Sequence, residues 1–180
     1  KAAKAAPGKF TFGSGGQGTV QYMAPELMNQ AAGIQLLHVP YKSGGLAITA
    51  AIAGEVDMGF FNLPAVSNHV KGGLLKALAI TSAQRHPLFP DVPTVAEVIG
   101  KPYESYEWNG VFVPRGTPSE VVTRLHAALR EVLNTPEIKA KFDSLGSRIV
   151  ASSPDEFRKY LNAESQRWAS TVKAAGIKKE

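Results

Sequence analysis

Gly13-Ser14-Gly15-Gly16-Gln17-Gly18-Thr19 stands between a short apolar run, Phe10-Thr11-Phe12, and a segment in which Val20, Met23, Ala24, Leu27, Met28 and Ala31 recur at three- and four-residue steps. Such spacing puts apolar side chains on one helix face. The stretch therefore reads as strand, glycine loop, helix N-terminus. The first turn of a helix leaves backbone N–H groups unpaired and carries the positive end of the helix dipole. Glycines let an anion approach that backbone closely. The loop is expected to hold an anion.

Outward from this loop the pattern repeats. The first helix is expected to stop at Gly33, with Pro25 bending it or shortening its regular part. Gln35 to Val39 reads as a second strand, followed by the loop Pro40-Tyr41-Lys42-Ser43-Gly44-Gly45 and a short apolar helix from Leu46 to Ala53 ending at Gly54. Val56 to Phe61 reads as a third strand, with Asn62-Leu63-Pro64 as its exit turn. Ala65 to Lys71 reads as a helix closed by Gly72-Gly73, and Leu74 to Ile80 as a fourth strand buried on both faces. Strands alternating with helices imply parallel pairing. Ligands sit at the carboxyl ends of such strands, so residues 13–19, 40–45 and 61–65 belong to one edge.

Beyond Thr81 the character changes. Residues 81–93 are irregular, a short helix follows around Thr94 to Ile99, and Tyr103 to Val113 reads as extended. Thr117-Pro118-Ser119-Glu120 and Ser153-Pro154-Asp155-Glu156 both have the form of a capping box with proline at the first helical position. The first launches a helix whose core face is Val121, Val122, Leu125, Ala128, Leu129 and Val132. Thr135-Pro136-Glu137 starts another that ends near Gly146, and Ser147 to Val150 has the length of a short strand. The second box opens a helix carrying Phe157, Tyr160, Leu161, Trp168 and Val172, ending at Gly176. This helical portion has apolar faces but few strands to cover them.

Composition narrows the function. The 180 residues carry 20 basic and 15 acidic side chains, a net charge of +5, and 44% hydrophobic residues. The charge favours anionic partners weakly, but the basic residues are scattered, apart from a tail at Lys178-Lys179, and form no nucleic-acid stripe. Cysteine is absent, which excludes disulfides and thiolate chemistry. No apolar run reaches the ~20 residues of a membrane-spanning helix. His38, His69, His86 and His126 lack metal-ligand spacing, so no metal is expected. Ser14 has neither the nucleophile-elbow form nor obvious His or Asp partners. Asp155 and Glu156 are explained by helix capping. No catalytic set assembles.

Gly13, Gly15 and Gly18 match Gly-x-Gly-x-x-Gly, the dinucleotide pattern. That site also wants an acid about twenty residues on, where this chain has His38-Val39-Pro40-Tyr41-Lys42. No lysine closes the loop, which excludes a nucleotide-triphosphate loop. A smaller anion, such as a carboxylate, is more economical. Ser14, Gln17 and Thr19 would supply side-chain donors, and Gly15, Gly16 and Gly18 backbone N–H groups. Lys42 falls beside the loop at the same edge. Asn62 could serve either the site or a turn before Pro64.

The motifs as an ordered set resemble a known family. Phe12-Gly13-Ser14-Gly15-Gly16, His38-Val39-Pro40-Tyr41-Lys42, Gly54-Glu55-Val56-Asp57-Met58, Asn62-Leu63-Pro64, Leu78-Ala79-Ile80-Thr81-Ser82, Pro90-Asp91-Val92-Pro93-Thr94-Val95-Ala96-Glu97 and Pro114-Arg115-Gly116-Thr117-Pro118 occur in this order. The chain resembles the Bug family, extracytoplasmic solute receptors of tripartite tricarboxylate transporters. The resemblance implies an α/β periplasmic-binding-protein-like (type II) fold of two domains closing on a small carboxylate. It makes residues 8–105 the second domain and residues 106–180 the C-terminal helical part of the first, whose N-terminal part is missing. It implies no cofactor, no catalysis, a periplasmic location, and membrane transporter subunits as partners. It places Ser14, Gly15, Gly16, Gln17, Gly18, Thr19 and Asn62 at the cleft.

The departures from the family bear on the ligand. Phe61 and Ala65 replace the family's aspartate and serine around Asn-Leu-Pro, which removes the partner of a ligand ammonium and points to a non-amino acid. Lys42 matches the family, while Ser43 and Leu46 replace its glycine and proline. The rival readings are an enzyme domain holding a nicotinamide dinucleotide at the Gly13–Gly18 loop, and a non-catalytic interaction module. Exposed apolar helix faces are expected to favour self-association of this chain.

Overall fold

The computed structural model describes residues 1–174 and 176. The chain divides into two compact units, one made of residues 1–107 with the chain from Trp168 onward, the other spanning Trp108–Arg167.

The first unit opens with a short helix α1 (Ala2–Ala5), then β1 (Thr11–Ser14), α2 (Val20–Ala32), β2 (Leu37–Pro40), α3 (Gly44–Ala53), β3 (Met58–Gly59), α4 (Leu63–Lys71) and α5 (Val95–Ile99). The three strands form one parallel sheet in the order β2-β1-β3. Register is set by Thr11 opposite Leu37 and Phe12 opposite both His38 and Met58. Alternate residues of β1 face opposite sides. Phe12 is fully buried and clusters with Tyr22, Met23 and Leu36. On the other side Gly13 lies against Ala47, Val56 and Tyr41. Both faces are therefore covered, as a parallel sheet requires.

Several boundaries differ from expectation. β1 runs two residues into the glycine loop, and β2 starts at Leu37 and includes Pro40. Helix α2 is not shortened by the buried Pro25, which removes only the bond its missing N–H would give the Gln21 carbonyl. Helix α3 starts at Gly44, because Ser43 caps it: the Ser43 hydroxyl accepts from the Leu46 N–H at 3.3 Å. A proline at 46 could not make that bond, so the two departures in this loop act together.

The third strand shrinks to Met58–Gly59. Asp57 turns its carboxylate onto the Thr11 N–H and hydroxyl at 2.7 and 2.9 Å, and the Phe61 ring folds back over Gly59. The fourth strand does not form. Leu74 and Leu78 are exposed, and among the described residues the segment pairs only through a parallel bridge of Ile80 with Thr94. An apolar run alone does not distinguish a strand from an extended surface segment.

The second unit holds α6 (Ser119–Leu133), α7 (Pro136–Leu145) and the start of α8 (Pro154–Ala174). The box at Ser153 forms, with Glu156 accepting from the Ser153 N–H and hydroxyl and returning its own N–H. The box at Thr117 does not, because the Thr117 hydroxyl and N–H both turn back to the Pro114 carbonyl, leaving Pro118 at the N-cap. Residues 147–150 form no strand; Val150 is exposed and Ala151 is left-handed, at φ 48°. Val121, Leu125, Leu129 and Val132 of α6 are all exposed. Trp108 packs edge-on against Phe157 and Tyr160. No helix among the described residues is long and apolar enough to cross a membrane. Lys178 and Lys179 lie outside the described residues.

Candidate functional site

The glycine loop leaves the carboxyl end of β1, at the centre of the sheet, and enters α2. Its tight path depends on two glycines of different kinds. Gly18 sits at φ +81°, where a side chain is strained, and a Cβ on Gly15 would lie 2.9 Å from the Gly44 nitrogen. That close approach brings residues 13–19 and 40–45 together, and the Tyr41 N–H donates to the Ser14 carbonyl at 2.9 Å. The segment following β3 leaves the same sheet edge, since β3 runs parallel to β1 with Gly59 opposite Gly13.

Most groups of the first half of the loop have internal partners. Ser14 is fully buried, with its hydroxyl 2.7 Å from His38 Nε2, and it accepts the Gly16 N–H at 3.1 Å. The Gly15 N–H donates to Gln21 Oε1 at 3.0 Å. The Thr19 hydroxyl and N–H both donate to the Gly16 carbonyl, at 2.7 and 3.4 Å. Among the described residues no acceptor takes the N–H groups of Gln17, Gly18, Val20 or Gln21. Gln17 and Gly18 are exposed. The open donors are thus the tip of the loop and the first turn of a thirteen-residue helix, the place where a dipole favours an anion.

The other expected residues lie around this edge. Lys42 is exposed in the loop between β2 and α3. Asn62 is the N-cap residue of α4 but makes no side-chain capping bond, so its amide is not held in a turn before Pro64. Phe61 is half-buried over Gly59.

Two residues of the site escape the sequence reading. His38 does partner Ser14, contrary to the expectation that no histidine accompanies it. Strand register brings them together: Phe12 pairs with His38, and Ser14 lies two residues on, on the same face of β1. Burial against Phe12 and Tyr22, whose rings are 5.0 and 4.6 Å away, pushes the His38 imidazole below its ordinary value. The imidazole nitrogen and the serine hydroxyl share one hydrogen bond. With Ser14 fully enclosed, the pair braces the loop and offers no exposed nucleophile. Gln21 is the second omission; its amide links Gly15 to the neighbourhood of Gly44.

Comparison with known proteins bears on the family and the fold. The model of the family described as tripartite tricarboxylate transporter family receptor matches residues 1–177. A UPF0065 protein from the tcbD-tcbE intergenic region of Pseudomonas sp. strain P51 is 36% identical over 173 residues, which are 96% of this chain and 52% of that one. Among solved structures, R. palustris Rpa4515 with adipate superposes with a TM-score of 0.88 at 31% identity, covering 97% of this chain and 58% of that chain. MatC (Rpa3494) from Rhodopseudomonas palustris with bound malate gives 0.83 at 28%, covering 95% and 59%. The periplasmic binding protein BugD gives 0.85 at 28%, covering 99% and 60%. The chain thus spans just over half the length of these proteins. The periplasmic-binding-protein-like α/β fold expected from the sequence is the fold of these neighbours. The family is one of receptors and not of enzymes, which removes the dinucleotide-dependent reading. The chain belongs to the tripartite tricarboxylate transporter receptor family, the Bug receptors.

Proposed function

We propose that this chain is the ligand-binding part of a periplasmic receptor that captures a small non-amino organic carboxylate and delivers it to the membrane subunits of a tripartite transporter, with no chemistry on the ligand. The observation that carries the reading is the open donor set at Gln17, Gly18 and the first turn of α2, in a chain whose solved relatives hold adipate and malate. A carboxylate there accepts backbone N–H bonds strengthened by its charge. Ser14, Gly15, Gly16 and Thr19 shape the loop, and Lys42 and Asn62 flank the bound acid.

Phe61 sets the ligand's other end. A half-buried ring at this edge offers no carboxylate to an ammonium and prefers an apolar body. Each methylene a ligand buries contributes about 0.8 kcal/mol, so an acid with an alkyl stretch is favoured over one carrying a hydroxyl. Titration calorimetry on the protein as its gene encodes it, with adipate, malate and glutamate, tests this. Adipate should bind more tightly than malate, and glutamate should not bind; Phe61→Asp should admit glutamate. Tight glutamate binding by the unmodified protein would overturn the ligand class.

A further inference from the structure

We infer that Gln21 is a ligand-facing donor of this loop, its side-chain amide completing the carboxylate site from the first turn of α2; this rests on the receptor reading above. The orientation of the amide is fixed by its neighbour. Gly15 presents an N–H, so the oxygen of Gln21 must face it, and it accepts at 3.0 Å. Nε2 is then turned to Gly44, where the missing side chain makes the room. A Cβ on Gly44 would collide with Gln21 Nε2 and would lie 2.8 Å from Oε1 and 3.0 Å from Cδ. The side chain is therefore lodged between glycines of two loops, one preceding α2 and one opening α3.

What surrounds Nε2 is rich in donors. Among the described residues Nε2 has no hydrogen-bond acceptor, and none takes the N–H groups of Gly44 and Gly45 either. The Ser43 hydroxyl, at the N-cap of α3, accepts from the Leu46 N–H. A glutamine amide carries two N–H donors, and donors converging from two helix starts call for an anionic acceptor. Gln21 thus joins the Gly15 backbone to the ligand: one end of the amide holds the loop and the other points to the carboxylate.

Gln21→Glu separates this role from a merely structural one. The substitution has the same shape and keeps an acceptor for the Gly15 N–H, with a charge that strengthens that bond and suits the helix start. A structural clamp whose amide faces away from the ligand predicts unchanged or higher thermal stability and only the small loss of a screened charge near the site, within about threefold. A ligand-facing donor predicts unchanged or higher stability with affinity for adipate or malate lowered about a hundredfold, since a like charge then faces the ligand. Calorimetry with both acids and a thermal melt, on the gene-encoded protein and its Gln21→Glu variant, read the two quantities. Binding by the unmodified protein with that loss in the variant supports the inference. Binding by both proteins within about threefold, under half a decade in the affinity constant, overturns it and leaves the receptor reading standing. Binding of neither acid by the unmodified protein refutes the receptor reading for these ligands and removes the inference with it.

Discussion

Ser14→Ala removes one oxygen and is expected to loosen the whole glycine loop. The Ser14 side chain is fully buried and meets two partners, His38 Nε2 at 2.7 Å and the Gly16 N–H at 3.1 Å. Alanine leaves both without a protein partner. A buried group stripped of its hydrogen bond costs about 1–3 kcal/mol. His38 and Gly16 are each only half-buried, so water recovers part of that and the low end applies to each, about 2 kcal/mol together. For a chain of this size a loss of that order lowers the thermal midpoint by about 4–8 °C. Urea denaturation followed by circular dichroism measures the free energy, and a double-mutant cycle with His38→Phe measures the pair. Phenylalanine suits the ring cluster with Phe12 and Tyr22 and has no nitrogen to leave unpaired. The second substitution should therefore cost less in the Ser14→Ala background, with a coupling of about 1 kcal/mol. A loss below about 0.5 kcal/mol for Ser14→Ala, within the range of an ordinary surface change, or a strictly additive cycle, would refute the brace.

Two further outcomes follow from the same geometry. Gly44→Ala should displace the Gln21 amide, since its Cβ collides there; about tenfold weaker carboxylate binding, near 1.4 kcal/mol, with the protein still folded is the expected calorimetric result, and unchanged binding would show that Gln21 moves aside freely. Acidification should destabilise the fold through His38, whose folded pKa lies below its ordinary 6.5. The unfolded chain then takes up a proton that the folded chain does not, so this contribution is fully present above about pH 6.5 and is lost as the pH falls toward the folded value. Urea melts across that window should show the decline in the unmodified protein and a smaller one in His38→Phe; equal slopes would refute it.

How much of this was legible in the sequence depends on how local each signal is. Glycine caps are local, and Gly33, Gly54 and Gly146 all end helices in the left-handed conformation. Capping boxes are less local than they look. Thr94 and Glu97 form a complete box that the residue pattern allows, and Ser153 forms another. Thr117 has the same pattern, yet its hydroxyl is drawn back to Pro114 by the turn before it. The three-residue spacing states what the side chains can reach, and the preceding turn decides what they do reach. Strand extent is the least local. Leu74 to Ile80 is apolar enough for a central strand, but a strand exists only where a neighbour accepts its backbone, and among the described residues that neighbour is found only at the Ile80–Thr94 bridge.

The same distinction explains which loop groups remain for a ligand. Read as a sequence, every polar side chain and every glycine N–H between residues 14 and 19 is an equal donor. The decisive fact is that β1 continues through Ser14. Strand alternation then carries Ser14 onto the buried face it shares with Phe12, diagonal to the His38 that pairs with Phe12, and its hydroxyl turns inward. Gly16 follows by bonding to that hydroxyl, and Gly15 is taken by Gln21 from the helix beyond. Two extra residues of strand thereby shift the open donors toward the helix, to Gln17, Gly18 and the first turn of α2. A guest held there meets backbone N–H groups and amides, with the serine hydroxyl buried and the threonine hydroxyl donating within the loop. Backbone donors of this kind select for a planar, charged acceptor but not for the body behind it. On the proposed reading, discrimination among acids then falls to the side chains at the rim, Phe61 and Asn62.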